Sequence, residues 1–293
     1  MKNIGGQAVI EGVMMKAADS WTVAVRDQSG SIHLKREQLN PLPRFLKIPL
    51  VRGVIALFQA LSIGMRAIEF SASKAYEEGE EEPLSKASIF FTILISVLLS
   101  IGLFILLPLY ATKLMGLLFE GIATSSLLFN LVDGLIRVMV FILYVVLIGL
   151  WKEMARIFMY HGAEHKVIHA YEEGKDLTVA GVKNYSTRHP RCGTSFLMIV
   201  MVVSIMVFSF IPQQWPFIFK FLSRIILIPL IAGSSFEFLK LSAKWQHNPF
   251  MRMMIIPGLL LQRLTTREPD DAQLEVALMA LTEVLKLEEE HAR

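Results

Sequence analysis

The sequence predicts a mainly α-helical, polytopic membrane protein with about four transmembrane helices, interfacial amphipathic helices and a small N-terminal β-hairpin domain. Of its 293 residues, 54% are hydrophobic and 19% are charged, whereas soluble domains average about 45–50% and 25%. Residues 87–112 contain no charged side chain, and about 20 apolar residues suffice to cross the hydrocarbon core. Near the N terminus, short β-branched runs surround the turn 27–30 and predict antiparallel strands.

The first two spans are predicted at 87–112 and 127–151. The first is apolar throughout. The second contains Asp133 and Arg137, which are four residues apart and therefore share one helix face, where their charges can neutralise each other.

A third span is predicted at 194–211 and a fourth at 217–238. The third is free of charged residues and ends before a proline. The fourth contains Lys220 and Arg224 near its start and Pro229 further along. Because a proline removes a helical hydrogen bond, we expect the fourth span to be tilted or broken.

Basic residues predict the orientation in the membrane. Most of the 29 Lys and Arg residues precede the first span, lie between 152 and 191, or follow the last span. The two remaining connections contain only Lys113 and Lys220. Under the positive-inside rule, both termini and the central loop are expected in the cytoplasm of a multi-pass protein of the cell (inner) membrane.

The predicted spans and their orientation divide the chain into six segments. In order, these are a cytoplasmic β-hairpin domain, an interfacial amphipathic helix with an acidic loop, two spans, a cytoplasmic His-rich loop, two further spans, and an interfacial segment with a C-terminal amphipathic helix. Their predicted bounds are 1–43, 44–86, 87–151, 152–193, 194–238 and 239–293. The C-terminal helix, with Leu274, Leu278 and Leu281 on one face, is expected to pack on the hairpin domain.

The His-rich loop contains the pattern H-x-x-E-H, formed by His161, Glu164 and His165. On a helix, residues four apart project to the same side, so both imidazoles can reach one metal ion. This is the residue order of the inverzincin motif. His189 and Cys192 follow, close enough in sequence to bind jointly. Imidazole and thiolate ligands together favour a divalent transition metal such as Zn2+ over Mg2+ or Ca2+.

Two metal arrangements are open at this point, and a third interpretation needs no metal. His161, His165, His189 and Cys192 together would close a tetrahedral structural site, whereas three of them would leave a position for water. In the second arrangement Glu164 would act as the general base of a hydrolytic reaction. Without a metal, these histidines would cap helix carbonyl groups or contact lipid headgroups.

The cysteine count, the net charge and the glycine pattern exclude several other kinds of protein or site. The single cysteine excludes an internal disulfide. A net charge of +3 is not that of a DNA-binding protein, and Gly5, Gly6 and Gly12 lack the context of a phosphate-binding loop. Glu11 would be an additional base only if the hairpin domain folded under the helix bundle.

Four stretches resemble the YqhQ-type family of bacterial multi-spanning membrane proteins: GGQAVIEGVMM, YHGAEHKVIHAYE, STRHPRCGTSF and PGLLLQRLTTREP. The resemblance covers nearly the whole chain. It implies a predicted metal-dependent enzyme whose site comprises His161, Glu164, His165, His189 and Cys192, all of which are present.

Two functions of different classes follow from these features. The first is a metal-dependent hydrolase that acts at the inner leaflet of the lipid bilayer on a lipid-linked or membrane-peptide substrate. The second is a non-enzymatic factor in membrane-protein biogenesis, associated with the protein-export channel or the ribosome, in which any metal is structural. The broken fourth span and the methionines at 251–254 would suit adaptable binding of varied partners.

Overall fold

The computed structural model describes residues 4–39, 48–76, 86–190, 192–244 and 248–291. A π-helical turn, Gly102–Leu106, joins the second helix to the third. The helices are α1 (Val51–Ala75), α2 (Lys86–Ile101), α3 (Leu107–Leu118), α4 (Glu120–Thr124), α5 (Ser126–Ile148), α6 (Lys152–Glu172), α7 (Val179–Val182), α8 (Gly193–Phe208), α9 (Phe217–Ile226), α10 (Ile228–Lys244), α11 (Pro249–Thr265) and α12 (Asp271–His291).

The N-terminal segment forms a four-stranded antiparallel sheet in the order β1-β2-β3-β4. The strands are β1 (Gly5–Val9), β2 (Gly12–Lys16), β3 (Ser20–Arg26) and β4 (Ile32–Gln38). Val13 pairs with Ala24, and Val25 pairs with His33. The prediction of a mainly α-helical protein with an N-terminal antiparallel β unit is confirmed, with four strands where the sequence predicted a hairpin.

Both faces of the sheet are covered by helices. Val13 and Ala24 on one face pack in a buried cluster with α6 and with Leu274 and Leu281 of α12, which is the contact expected for the C-terminal helix. Residues on the other face, including Trp21, pack against α1. An antiparallel sheet often leaves one face in water, so the double coverage explains why β2 and β3 are almost entirely buried.

Among the described residues, three helices are long and apolar enough to cross a membrane: Val51–Ala75, Phe90–Leu118 and Ser126–Ile148. A fourth exists if Phe217–Ile226 and Ile228–Leu241, which meet at an angle of 45°, count as one broken span. The bend lies next to Pro229, as the sequence predicted. These helices agree with a membrane protein of three to four spans.

Two helices differ from the predicted spans. Helix α8 has 16 residues, or about 24 Å of helix, so it is shorter than the apolar stretch at 194–211 from which a third span was predicted. Helix α1, which was predicted to be interfacial, satisfies the length and composition of a span. It nevertheless covers the sheet with Ile63 and Ala67 and leaves Phe58 and Leu61 exposed.

The acidic run at 77–82, the predicted interfacial residues Arg44 and Lys47, and the side chains of residues 251–254 lie outside the described part of the chain.

Candidate metal centre

Helix α6 carries the H-x-x-E-H pattern and is buried along most of its second half. Gly162 makes this burial possible, because a Cβ atom on it would lie 2.0 Å from the carbonyl oxygen of Arg267. The chain after α11 therefore contacts α6 directly, and the amide of Arg267 donates to the carbonyl of Phe158 across 2.8 Å. This contact brings the end of α11 next to His161.

His161, His165 and Cys192 come together at this point, and we call them the His-His-Cys cluster. One ligand atom from each residue lies within 4.8 Å of those of the other two. His161 Nε2 is 3.2 Å from Cys192 Sγ, and the two imidazole centroids are 4.4 Å apart. Nitrogen and sulfur ligands of one tetrahedral zinc ion lie about 3.3–3.6 Å apart, so the separation of His161 Nε2 and Cys192 Sγ is close to that of a zinc site.

Backbone carbonyls orient both imidazoles of the cluster. His161 Nδ1 donates to the carbonyl of Thr265 across 2.8 Å, and His165 Nδ1 donates to the carbonyl of Thr187 across 2.6 Å. Because a carbonyl oxygen only accepts, the proton of each neutral ring is on Nδ1 and Nε2 carries a free lone pair. Metal-binding histidines are usually held in this way by a second hydrogen bond.

His165 is the most deeply buried member of the cluster, with 1% of its surface exposed. Its Nε2 has no hydrogen-bond partner among the described residues. Burial, with the neighbouring His161, lowers the pKa of His165 to about 2, so the ring is neutral and its lone pair is available. A buried nitrogen without a partner is unfavourable, and a bound cation would satisfy it.

Cys192 enters the cluster as the N-cap of α8. Its sulfur accepts from the amide of Thr194 across 3.4 Å and lies 3.2 Å from the Thr194 hydroxyl. Burial raises the pKa of the thiol, and the contacts with Thr194 oppose this effect. A nearby cation would favour the thiolate, which is the form that binds metal.

Glu164 lies beside the cluster and beneath the sheet. Burial raises the pKa of this carboxyl group to about 8; the neighbouring His161 opposes that effect and Cys192 reinforces it. The amide of Gly6 donates to the carboxylate, while Oε2 has no partner among the described residues. Glu164 is 4% exposed, so water reaches it poorly in this conformation.

His189, the fourth predicted ligand, lies outside the His-His-Cys cluster. Its Nε2 is 3.2 Å from a carboxylate oxygen of Glu172, and its ring centroid is 5.9 Å from that of His165. Gln262 fixes its backbone, with hydrogen bonds of 2.8 Å to the His189 amide and carbonyl. The structure thus brings together three of the four predicted ligands.

Glu11 does reach α6, but away from the cluster. Its carboxylate accepts from Arg156 Nε across 2.5 Å and from the Tyr160 hydroxyl across 3.2 Å. It therefore fixes the β1–β2 turn on α6. Sequence reasoning missed the roles of Gly6, Thr187, Thr265 and Gln262, although the glycine pair at the N terminus was a visible signal.

The donor set fits a transition metal on structural grounds. Two imidazole nitrogens and one sulfur suit Zn2+, and an unpartnered nitrogen and an unpartnered carboxylate oxygen lie within or beside the cluster. Three protein ligands also leave a fourth tetrahedral position for another group.

Comparison with known proteins identifies the family. The family described as Protein of unknown function (DUF1385) matches residues 48–287, which include the whole His-His-Cys cluster. The chain belongs to this family. It is also 34% identical to the Uncharacterized protein YqhQ of Bacillus subtilis (strain 168), over 97% of this chain and 92% of that protein. The YqhQ-type resemblance is therefore confirmed, and no solved structure matches the chain.

Proposed function

We propose that this protein is a membrane-embedded, zinc-type metal-dependent hydrolase whose site faces the cytoplasm. The observation that carries the proposal is the His-His-Cys cluster, in which the ligand atoms lie within 4.8 Å of one another. The proposed ligands are His161, His165 and Cys192. When bound, the metal would supply Lewis acidity toward a carbonyl or phosphoryl group.

Within this proposal Glu164 is the general base. A bound cation would favour the carboxylate form of Glu164, whose Oε2, without a partner among the described residues, could then accept a proton, while the amide of Gly6 donates to the same carboxylate. His161 is the member of the cluster that is not fully buried. We propose that the substrate approaches from the side of His161, since the sheet covers Glu164.

The proposed substrate is a lipid-linked molecule or a membrane peptide at the inner leaflet. Helix α5 ends at Ile148, shortly before α6 begins, and α8 begins directly after Cys192. The cluster therefore lies at the start of the apolar helix α8, and α6 joins it to the end of α5 over about 14 Å. The basic residues of the adjoining segments support a cytoplasmic position for this end and for both termini.

A structural metal is the second candidate, and the burial of the cluster supports it. A metal bound there would connect α6, the start of α8 and, through the Thr265 carbonyl, the end of α11. Four-coordinate structural zinc sites are closed, and Cys192 is only 9% exposed. The protein would then be a non-enzymatic factor in membrane-protein biogenesis.

The metal content of the full-length protein, purified in mild detergent without chelators, tests the proposal. We expect about one zinc per chain in the wild type. Glu164→Gln distinguishes the two candidates, with turnover of membrane-peptide and lipid-linked ester substrates as the readout. The hydrolase requires turnover in the wild type that is lost in Glu164→Gln with metal retained, whereas bound metal without turnover in the wild type would support the structural candidate. Wild-type protein without bound metal would contradict both.

A further inference from the structure

A cavity of about 380 Å³ lies among the apolar helices, with walls from α1, α5, α8, α9, α10 and the π-helical turn. Sites for small ligands occupy about 300–1,000 Å³. Apart from Arg137, Arg224 and Ser204, every residue that lines the cavity is apolar. The cavity thus combines a hydrocarbon-like wall with a cationic region.

The cationic region contains more positive than negative charge. The Asp133 carboxylate accepts from Arg137 across 2.8 Å and from Arg224 across 3.3 Å. One carboxylate therefore faces two guanidinium groups. Arg137 and Arg224 also lie on the ring of Phe208, with their Cζ atoms 5.2 and 4.9 Å from its centroid.

Each of these arginines keeps an unused hydrogen-bond donor. The Nε atoms of Arg137 and Arg224 are buried and have no partner among the described residues. The side chain of Arg224 is 1% exposed, so bulk water does not compensate for the missing partner. Charged groups inside membrane proteins are costly unless they are paired, and an oxyanion would supply both the charge and the acceptor.

The cavity is open to the surroundings of the apolar helices. Leu197 and Ile228 line it and retain 41% and 47% of their surface exposed. A molecule from the bilayer can therefore enter between the helices. Asp133 lies seven residues after the start of α5, or about 10 Å along the helix, which sets the cationic region about a third of the way along α5.

We propose that this cavity binds one anionic glycerophospholipid from the bilayer. The lipid phosphate is held by Arg137 and Arg224, and one acyl chain lies along α8 toward Phe196. This inference goes beyond the proposed hydrolase and does not require a metal, since none of its residues belongs to the His-His-Cys cluster.

Binding of defined lipids to the full-length protein tests the proposal. Delipidated protein is titrated in detergent with phosphatidylglycerol and with phosphatidylcholine of the same acyl chains, and the bound lipid is counted by native mass spectrometry. We expect one tight site with about tenfold preference for phosphatidylglycerol, because both lipids carry the phosphate but the choline cation of phosphatidylcholine adds a positive charge beside two guanidinium groups. Inorganic phosphate should not compete at millimolar concentration, because it lacks the chain that fills the cavity.

Two variants and one control locate the site. Arg137→Gln should abolish the preference for phosphatidylglycerol, while Lys113→Gln, which removes the same charge from an exposed position outside the cavity, should leave it unchanged. Leu197→Trp should weaken binding by partly filling the cavity without touching the charges, which keeps the test valid if Arg137→Gln does not fold. Equal binding of the two lipids by the wild type, or equal effects of Arg137→Gln and Lys113→Gln, would overturn the proposal.

Discussion

Gly6 in the first strand lies directly against Glu164 of α6, the helix that carries His161 and His165. A Cβ atom on Gly6 would be 2.8 Å from the carboxyl carbon of Glu164. The sheet therefore covers the candidate general base. The size of the residue at position 6 determines how closely β1 and Glu164 can approach each other.

Gly6→Ala is expected to destabilise the protein because the added methyl group must displace the Glu164 side chain. Overpacking of this kind costs about 1–3 kcal/mol, measurable as a lower unfolding temperature of the purified protein. Gly5→Ala is the matched control, since a Cβ atom there meets nothing within 4 Å. Equal unfolding temperatures for both variants would show that β1 is not packed tightly against Glu164.

The separation of His189 from the His-His-Cys cluster gives a second prediction. We expect His161→Ala and His165→Ala to lose zinc, measured as moles of metal per mole of folded protein, because each removes one of only three ligands. His189→Ala should keep its zinc, as its Nε2 faces Glu172. Loss of metal from all three variants would instead support the four-ligand structural site.

Asp133 gives a third prediction, for the helix bundle. Asp133→Asn should lower the free energy of unfolding by about 3 kcal/mol, because it leaves two buried guanidinium groups without a counter-charge. Glu120→Gln removes the same charge from an exposed helix start and serves as the control. Unfolding in mixed micelles measures the free energy of unfolding of both variants. If Asp133→Asn lowers it no more than Glu120→Gln does, the ion pairs of Asp133 contribute little to stability.

The proposed orientation is tested with introduced cysteines. Gln28 and Thr124 are both exposed. Gln28 lies in the turn between β3 and β4, and Thr124 lies just before the start of α5. In intact cells a membrane-impermeant maleimide should label Thr124→Cys, while Gln28→Cys should react only after lysis. Cys192 is buried, so the wild type provides a low background. The reverse labelling pattern would place the His-His-Cys cluster outside the cell.

Local sequence patterns predicted those features of the structure in which both residues lie on the same helix. The spacing of His161 and His165 is enough to direct both imidazoles to one side of α6, and the spacing of Asp133 and Arg137 predicted their ion pair, which the structure contains at 2.8 Å. Helix periodicity and charge-free length likewise predicted the fold class, because both depend on neighbouring residues alone.

The remaining contacts depend on tertiary packing and could not be predicted. Gly6 and Glu164 are far apart in sequence, as are Asp133 and Arg224, so only the docking of complete elements brings them together. His189 shows the opposite case. It is close to Cys192 in the chain, yet the hydrogen bonds from Gln262 turn this segment so that the two side chains point to different partners.

X-ray absorption spectroscopy of the zinc-loaded, full-length protein tests the central claim most directly. The His-His-Cys cluster predicts one sulfur neighbour at about 2.3 Å and two imidazole nitrogens at about 2.0–2.1 Å from the metal, and the sulfur signal should vanish in Cys192→Ser. A spectrum of the wild type without a sulfur neighbour, or one unchanged by Cys192→Ser, would contradict it.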